Sequence, residues 1–112
     1  MGKYQLGEFE EIVLLTVGVL YNQAYGVSIK HAIEQRLNRT VSVGALQSAL
    51  QRLEKKGYLA SRAGEATSDR GGRPRRYFQL TATGTAAIEY ARDVRNQLYN
   101  EIPRIALTIN KT

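Results

Sequence analysis

The sequence predicts a mainly α-helical fold with one small β-hairpin. Residues 42–57 carry apolar side chains at helical spacing, two short runs with β-forming residues follow at 59–63 and 76–80, and a long amphipathic segment ends the chain. With 112 residues and no long low-complexity stretch, the chain is expected to form a single domain. Two more helices are predicted before residue 42. Helices followed by a hairpin in this order are typical of a winged helix-turn-helix.

The first two helices are predicted at about residues 8–21 and 27–38. Glu8, Glu10 and Glu11 favour a helix start because negative charge stabilises the positive end of the helix dipole. Apolar residues then cover more than one face of the first helix, which indicates burial on two sides. In an oligomer, one of those sides would face a partner chain.

The third helix is predicted to begin at Ser42, whose hydroxyl suits an N-cap, and to close at Gly57. Its apolar stripe consists of Leu46, Ala49, Leu50 and Leu53. The opposite face has small residues near the N-terminus and hydrogen-bonding or cationic groups beyond, which suits a DNA groove. The candidate DNA-contacting residues of this helix are Ser42, Gly44, Ala45, Gln47, Ser48, Gln51, Arg52 and Lys55. The alternative is the solvated face of an ordinary core helix.

The loop between the two predicted strands is rich in arginine. Arg70, Arg73, Arg75 and Arg76 fall within seven positions, beside two glycines that free the backbone. Such a loop cannot pack a core, but its guanidinium groups can contact phosphates or enter a minor groove. These four arginines are therefore further DNA-binding candidates. The alternative is a surface loop with solvated charges.

Charge is concentrated in the same region. The formal charge of the chain is +6, from 16 Lys and Arg against 10 Asp and Glu. Residues 30–76 contain 11 basic and 4 acidic residues, a net +7, so the remainder totals −1. A polyanionic partner such as double-stranded DNA follows from this distribution, although an anionic membrane or an acidic protein would also satisfy it.

Other classes of function find little support in the sequence. Cysteine is absent, which excludes disulfide scaffolds and thiolate metal sites. The apolar run at residues 12–21 is too short to span a bilayer and follows acidic residues, so a cytoplasmic protein without membrane contact is expected. His31 is the single histidine and has no nucleophile or acidic partner in a recognisable motif. We therefore predict no enzyme, metal or cofactor.

The C-terminal segment predicts a helix that pairs with another subunit. Thr81 or Thr83 can cap it, and its apolar residues recur at steps of 3 or 4 from Ala91 to Ile109, close to the spacing of a helix–helix seam. We expect it to pair with the first helix and with the same helix of a second subunit. The resulting homodimer would fit a pseudo-palindromic operator. Pro103 should kink or end it near Ile102. The candidate dimerisation residues are Phe9, Ile12, Val13, Val94, Leu98, Ile102 and Ile105.

The single domain is therefore predicted to consist of a winged helix-turn-helix at 1–80 and a dimerisation helix at 81–112. The alternative for the C-terminal stripe is that it folds back on its own subunit.

Several ordered motifs resemble the PadR family of bacterial transcriptional regulators. They are Tyr25-Gly26, the pattern S-x-G-x-L-x-x-A-L-x-R-L-E from Ser42 to Glu54, Gly71-Gly72, and R-R-Y-x-x-L-T from Arg75 to Thr81. The resemblance covers nearly the whole chain. It implies a turn before the second helix, a recognition helix, a wing, and the single C-terminal helix of the shorter subfamily. Members of that subfamily form dimers through this helix and often repress a nearby gene until a small molecule binds.

One departure from the family pattern affects DNA recognition. Residues 43–48 read Val-Gly-Ala-Leu-Gln-Ser where many relatives have Pro-Gly-Thr-Leu-Tyr-Pro, so threonine and tyrosine hydroxyls expected near DNA are missing. The operator preference of relatives should therefore not be carried over. Gln47 offers an amide that could read an adenine edge instead.

Two classes of function follow. The first is a sequence-specific repressor that acts as a homodimer and responds to a small-molecule effector. The second is a dimeric winged-helix module that binds protein or nonspecific nucleic acid. Phe9, Tyr21, Tyr90 and Tyr99 lie on the helices between which an effector would enter, and their alternative role is to fill the core.

Overall fold

The computed structural model describes residues 4–66 and 74–109, which form six helices or helical segments and one hairpin. The helices are α1 (Glu8–Leu20), a short 3₁₀ turn (Tyr21–Gln23), α2 (Gly26–Leu37), α3 (Val43–Lys55), α4 (Ala82–Glu101) and α5 (Arg104–Ile109). The strands are β1 (Leu59–Ala66) and β2 (Pro74–Leu80). This order confirms the predicted winged helix-turn-helix with a C-terminal helix.

The core lies where the first three helices meet the hairpin. The apolar stripe of α3 is fully buried, as its spacing predicted, and packs against Leu14 of α1 and Ile29 and Ile33 of α2. Phe78 of β2 and Ala87 of α4 close the core from the other side. The outer face of α3 is left exposed by this packing.

Local capping fixes the ends of α3 and the start of α4. The Ser42 hydroxyl accepts a hydrogen bond from the Ala45 amide at 3.1 Å, which confirms the predicted cap. Gly57 has a φ of +81°, a left-handed conformation that glycine adopts without steric cost. The Thr81 hydroxyl accepts from the Gly84 amide at 3.0 Å and donates to the Gly57 carbonyl at 2.6 Å. Thr81 thereby joins the end of α3 to the start of α4.

The hairpin is longer than the sequence predicted. Leu59 pairs with Leu80, and the antiparallel register continues to Ala63 and Arg76. It then passes an irregularity and resumes where Ala66 pairs with Pro74. The prediction ended the first strand at residue 63 and began the second at 76, because the glycine and proline beyond those points are typical of loops. The bulge lets the strands pair past them.

The C-terminal segment is broken at the predicted place. α4 ends at Glu101, and Ile102, which precedes Pro103, has an extended backbone with φ −69° and ψ 126°. Steric conflict with a following proline disfavours the helical conformation at this position, and α5 begins at the next residue after the proline. From residue 92 onward almost every side chain is exposed, and the molecule measures 59 × 32 × 21 Å. The described helices include none that is both long and apolar enough to cross a membrane.

Candidate nucleic-acid interface

The outer face of α3 is the centre of the candidate interface. Gly44, Ser48, Gln51 and Lys55 are exposed along it, and Ser42 and Ala45 are exposed at its N-terminal end. Burial of the opposite stripe fixes the helix to the core and leaves these groups available to a partner. This is the placement that the helical spacing predicted for them.

Arg52 is an exception to that placement. Its Nε donates to the Glu10 carboxylate of α1 at 2.6 Å, and Lys56 Nζ donates to the other carboxylate oxygen at 2.6 Å. Arg52 therefore lies on the flank of α3 that faces α1, and part of its charge is neutralised there. Its side chain is still 51% exposed, so the assignment of Arg52 to the DNA-binding surface stays a prediction.

Glu10 is a structural anchor that the sequence interpretation missed. Burial raises the pKa of its carboxyl, but hydrogen bonds from Lys56 and Arg52 more than offset this effect, so the pKa of Glu10 lies below its ordinary value. The sequence analysis gives Glu10 a role at the helix dipole only. A signal was present in the spacing, because Glu10 precedes Val13, Leu14 and Val17 on the buried stripe of α1. An acid on such a stripe requires a basic partner.

The wing is fixed to the helices at its root. The Phe78 amide donates to the Ala24 carbonyl at 2.8 Å, and Tyr25 and Tyr77 form an isolated antiparallel bridge. The rings of these two tyrosines meet edge to face with centroids 5.5 Å apart. The Arg75 guanidinium carbon lies 4.3 Å from the Tyr25 ring centroid. This contact holds Arg75 beside the N-terminal end of α2.

A second guanidinium group, that of Arg62, stacks on the Tyr77 ring. The Arg62 guanidinium carbon of β1 lies 4.9 Å from the Tyr77 ring centroid. Gly64 lets the Tyr77 ring lie flat on β1, because a Cβ at Gly64 would come within 3 Å of two ring carbons. The stack of Arg75, Tyr25, Tyr77 and Arg62 therefore joins α2, β2 and β1. Arg62 was not among the sequence-based candidates.

Of the other three wing arginines, the structure describes Arg76 alone. Arg76 is exposed, and its Nη2 lies 3.6 Å from the Glu54 carboxylate of α3. Arg70 and Arg73 lie outside the described residues. Arg75 and Arg76 thus flank α3 on the wing side, whereas Arg52 and Lys56 flank it on the α1 side.

A recess of about 210 Å³ opens between the N-terminal ends of α2 and α3 and the root of the wing. We call it the α2–α3 recess. Gln47 lies at this recess, with its side-chain nitrogen 3.5 Å from the position that a Cβ on Gly26 would occupy. The recess is lined by Tyr25, Gly26, Val27, Lys30, Val43, Leu46, Gln47, Arg75, Arg76 and Phe78.

The candidate dimerisation residues fall into two groups. Val94, Leu98, Ile102 and Ile105 are exposed on α4, the following break and α5. On α1, Phe9 and Ile12 are partly buried against the core, and Val13 is completely buried within its own subunit. Val13 therefore has no surface to offer a partner, which corrects its assignment as an interface residue. The spacing of apolar residues on α1 could not show which of its two buried sides Val13 faces.

A groove of about 420 Å³ separates α1 from α4. Glu11 of α1 and Arg95 of α4 form an ion pair of 2.6 Å at this groove, and Leu15 and Ile88 give it apolar walls. Among the aromatic candidates for an effector site, the Tyr90 ring packs against Tyr4 with centroids 5.5 Å apart.

None of the four aromatic candidates, Tyr90 included, is among the residues that line this groove. Phe9 packs on the core, with the Arg39 guanidinium carbon 5.5 Å from its ring centroid. Tyr21 and Tyr99 are exposed. The groove therefore draws its apolar walls from aliphatic rather than aromatic side chains.

Comparison with known proteins identifies the family. The model of the transcriptional regulator PadR-like family matches residues 14–90, well over half of the chain. The chain belongs to the PadR-like family. It is therefore a winged-helix, DNA-binding transcriptional regulator rather than an enzyme, as the resemblance implied. No curated protein sequence matches it significantly.

Solved structures of PadR-like proteins share its fold. A PadR-like transcription factor from Bacteroides fragilis is 24% identical, with a TM-score of 0.71 over 87% of this chain and 88% of that one. A PadR family regulator from Eggerthella lenta is 22% identical, with a TM-score of 0.68 over 90% and 88% of the two chains. A PadR-like regulator from Bacillus cereus is 17% identical, with a TM-score of 0.69 over 93% of each.

Proposed function

We propose that this PadR-like chain is a repressor that binds a pseudo-palindromic operator as a homodimer and is released from it by a small molecule. The observation that carries the DNA-binding mode is the open polar face of α3 beside a wing root clamped by Tyr25 and Tyr77. A helix whose outer face is open can enter a major groove while the wing follows the phosphate backbone.

The roles of the DNA-facing residues differ by chemistry. Gln51 and Gln47 carry amides that can pair with the edge of an adenine, so we assign them to base reading. Arg73 and Arg75 carry guanidinium groups suited to phosphates, so we assign them to the backbone grip. Lys55, near the C-terminal end of α3, adds to that grip.

The dimer proposal rests on the exposed apolar stripe beyond residue 92. Soluble monomers seldom leave so many large apolar side chains uncovered on one extended element. Pairing α4 and α5 with their symmetry mates would cover Leu98, Ile105 and Ile109, all of which are more than half exposed. A two-fold axis through this pairing would present two α3 helices to two half-sites.

The effector proposal rests on the groove between α1 and α4. It combines apolar walls with the charged groups of Glu11, Arg92 and Arg95, which suits a small molecule with an apolar body and a polar end. A molecule bound there would lie between the dimerisation helix and α1. Repression would follow if the operator overlaps a promoter, because the bound protein alone would then block that promoter.

The decisive experiment measures fluorescence anisotropy of DNA from upstream of the chain's own gene, against a shuffled fragment, across a salt series. Tighter binding to the native fragment that persists at higher salt is expected for a specific regulator. Equal and steeply salt-sensitive binding to both fragments would support the alternative, a module with a nonspecific electrostatic grip. Absence of binding to either would favour a protein-binding module.

Two variants distinguish recognition of bases from contact with the phosphate backbone. Arg73→Ala should weaken binding to all sequences and reduce the slope of log affinity against log salt by about 1. Gln51→Ala should alter base preference at one position of each half-site instead. Equal effects of both variants on every DNA would contradict this division of roles.

A further inference from the structure

The α2–α3 recess contains an apolar surface that the proposed function does not yet use. Val27 near the start of α2 is 65% exposed, and Val43, the first residue of α3, is 62% exposed. Both line the recess, and Leu46 and Phe78, which are buried, contribute to the same lining. Single exposed apolar residues are common on soluble proteins, but two of them in one recess form a shared surface.

The surroundings of this apolar surface indicate what it meets. Lys30 and Arg76 also line the recess, so basic groups stand at its edge, where Lys30 pairs with Glu34 at 3.1 Å and Arg76 lies 3.6 Å from Glu54. A neutral apolar ligand would not require that edge, whereas DNA supplies phosphates beside base edges. The recess also lies at the N-terminal end of α3, the end of a recognition helix that contacts base edges.

We infer that Val43, supported by Val27, contacts the 5-methyl group of a thymine in the operator, an inference that rests on the proposed DNA-binding function. The thymine methyl is the apolar group that a base pair presents in the major groove. Gln47 lies one helical turn after Val43, on the same flank of α3. An amide suited to adenine and a valine suited to thymine thus stand together and favour an A·T pair at this position.

The test uses an operator that the purified full-length protein selects from a random duplex library. Each thymine of the operator is replaced in turn by uracil, which removes the methyl group and keeps every base-pairing atom. Burial of one methyl contributes roughly fourfold in affinity. We therefore expect about fourfold weaker binding for one uracil in a half-site, and little change at other positions.

The variant Val43→Ala should remove this discrimination, so that its ratio of thymine to uracil affinity falls to about one. Val19→Ala is the matched control, because it is the same substitution on α1 at a residue that is 60% exposed. It should retain the wild-type ratio even if dimerisation changes, since the ratio compares two DNAs bound by one protein.

Three results would overturn the inference, and they are distinguishable. Selection of no DNA at all would remove the proposed function and this inference together. Specific binding without any uracil effect would leave the proposed function intact and contradict the contact with a methyl group. A Val43→Ala variant that binds thymine and uracil operators with the wild-type ratio would contradict the assignment to Val43, because another residue would then contact the methyl group.

Discussion

Truncation of Leu98 gives a quantitative test of the dimer. Leu98 is 61% exposed on α4, and Leu98→Ala removes three carbons from each copy. With about 0.8 kcal/mol per buried carbon and about 60% of the side chain available to a partner, each subunit loses about 1.5 kcal/mol. Two-fold symmetry applies the loss twice. The dimer dissociation constant should therefore rise roughly 100-fold, which corresponds to about 3 kcal/mol.

Sedimentation velocity over a concentration series measures this change directly. Leu37→Ala is the control, because Leu37 at the end of α2 is 47% exposed and lies away from α4. It should leave the dissociation constant within about twofold of the wild-type value. A wild-type protein that sediments as a monomer at micromolar concentration, or equal weakening by both variants, would refute the assignment of the α4 stripe to the interface.

Three further predictions concern the head of the molecule. Glu10→Gln should lower the free energy of unfolding by about 1–3 kcal/mol in urea denaturation, because two basic groups lose a charged partner. The pKa of Glu10 is lowered on folding, so its contribution is present above the ordinary value of 4.5 and is lost as pH falls through the folded pKa. The difference in melting temperature between wild type and Glu10→Gln should accordingly shrink from pH 7 to pH 3. Gly84→Ala should destabilise by about 3 kcal/mol or more, since its Cβ would clash with the Tyr58 carbonyl. Gly44→Ala, where the Cβ meets nothing within 4 Å, should instead stabilise by about 0.5–1 kcal/mol in the same assay.

The parts of the fold that could be predicted depend on local chemistry. The buried stripe of α3 follows from helical periodicity, and the break before Pro103 follows from the steric demands of proline. The extension of the hairpin past Gly64 could not be read from sequence. It includes a register irregularity between Ala63 and Ala66 and the close approach of the Tyr77 ring to Gly64, and both involve residues on two strands.

The contacts missed at the site have the same origin. The ion pair of Arg52 could not be predicted because a helical projection shows spacing along α3 and nothing of Glu10, which lies 42 residues earlier in the chain. Val13 was given to the interface because apolar spacing does not say which of two buried sides a residue faces. Val43 was not a sequence-based candidate because an apolar residue on a polar face indicates no role until the recess around it is known.

The first turn of α1 couples two surfaces of the molecule. Glu10 holds α3 through Arg52, and its neighbour Glu11 holds α4 through Arg95. Adjacent residues on one helical turn thus contact α3 and α4 separately. In the proposed dimer, a shift of α4 against this turn would be transmitted through α1 to α3. Such a shift would alter the angle between the two recognition helices, and with it the half-site spacing that the proposed dimer accepts.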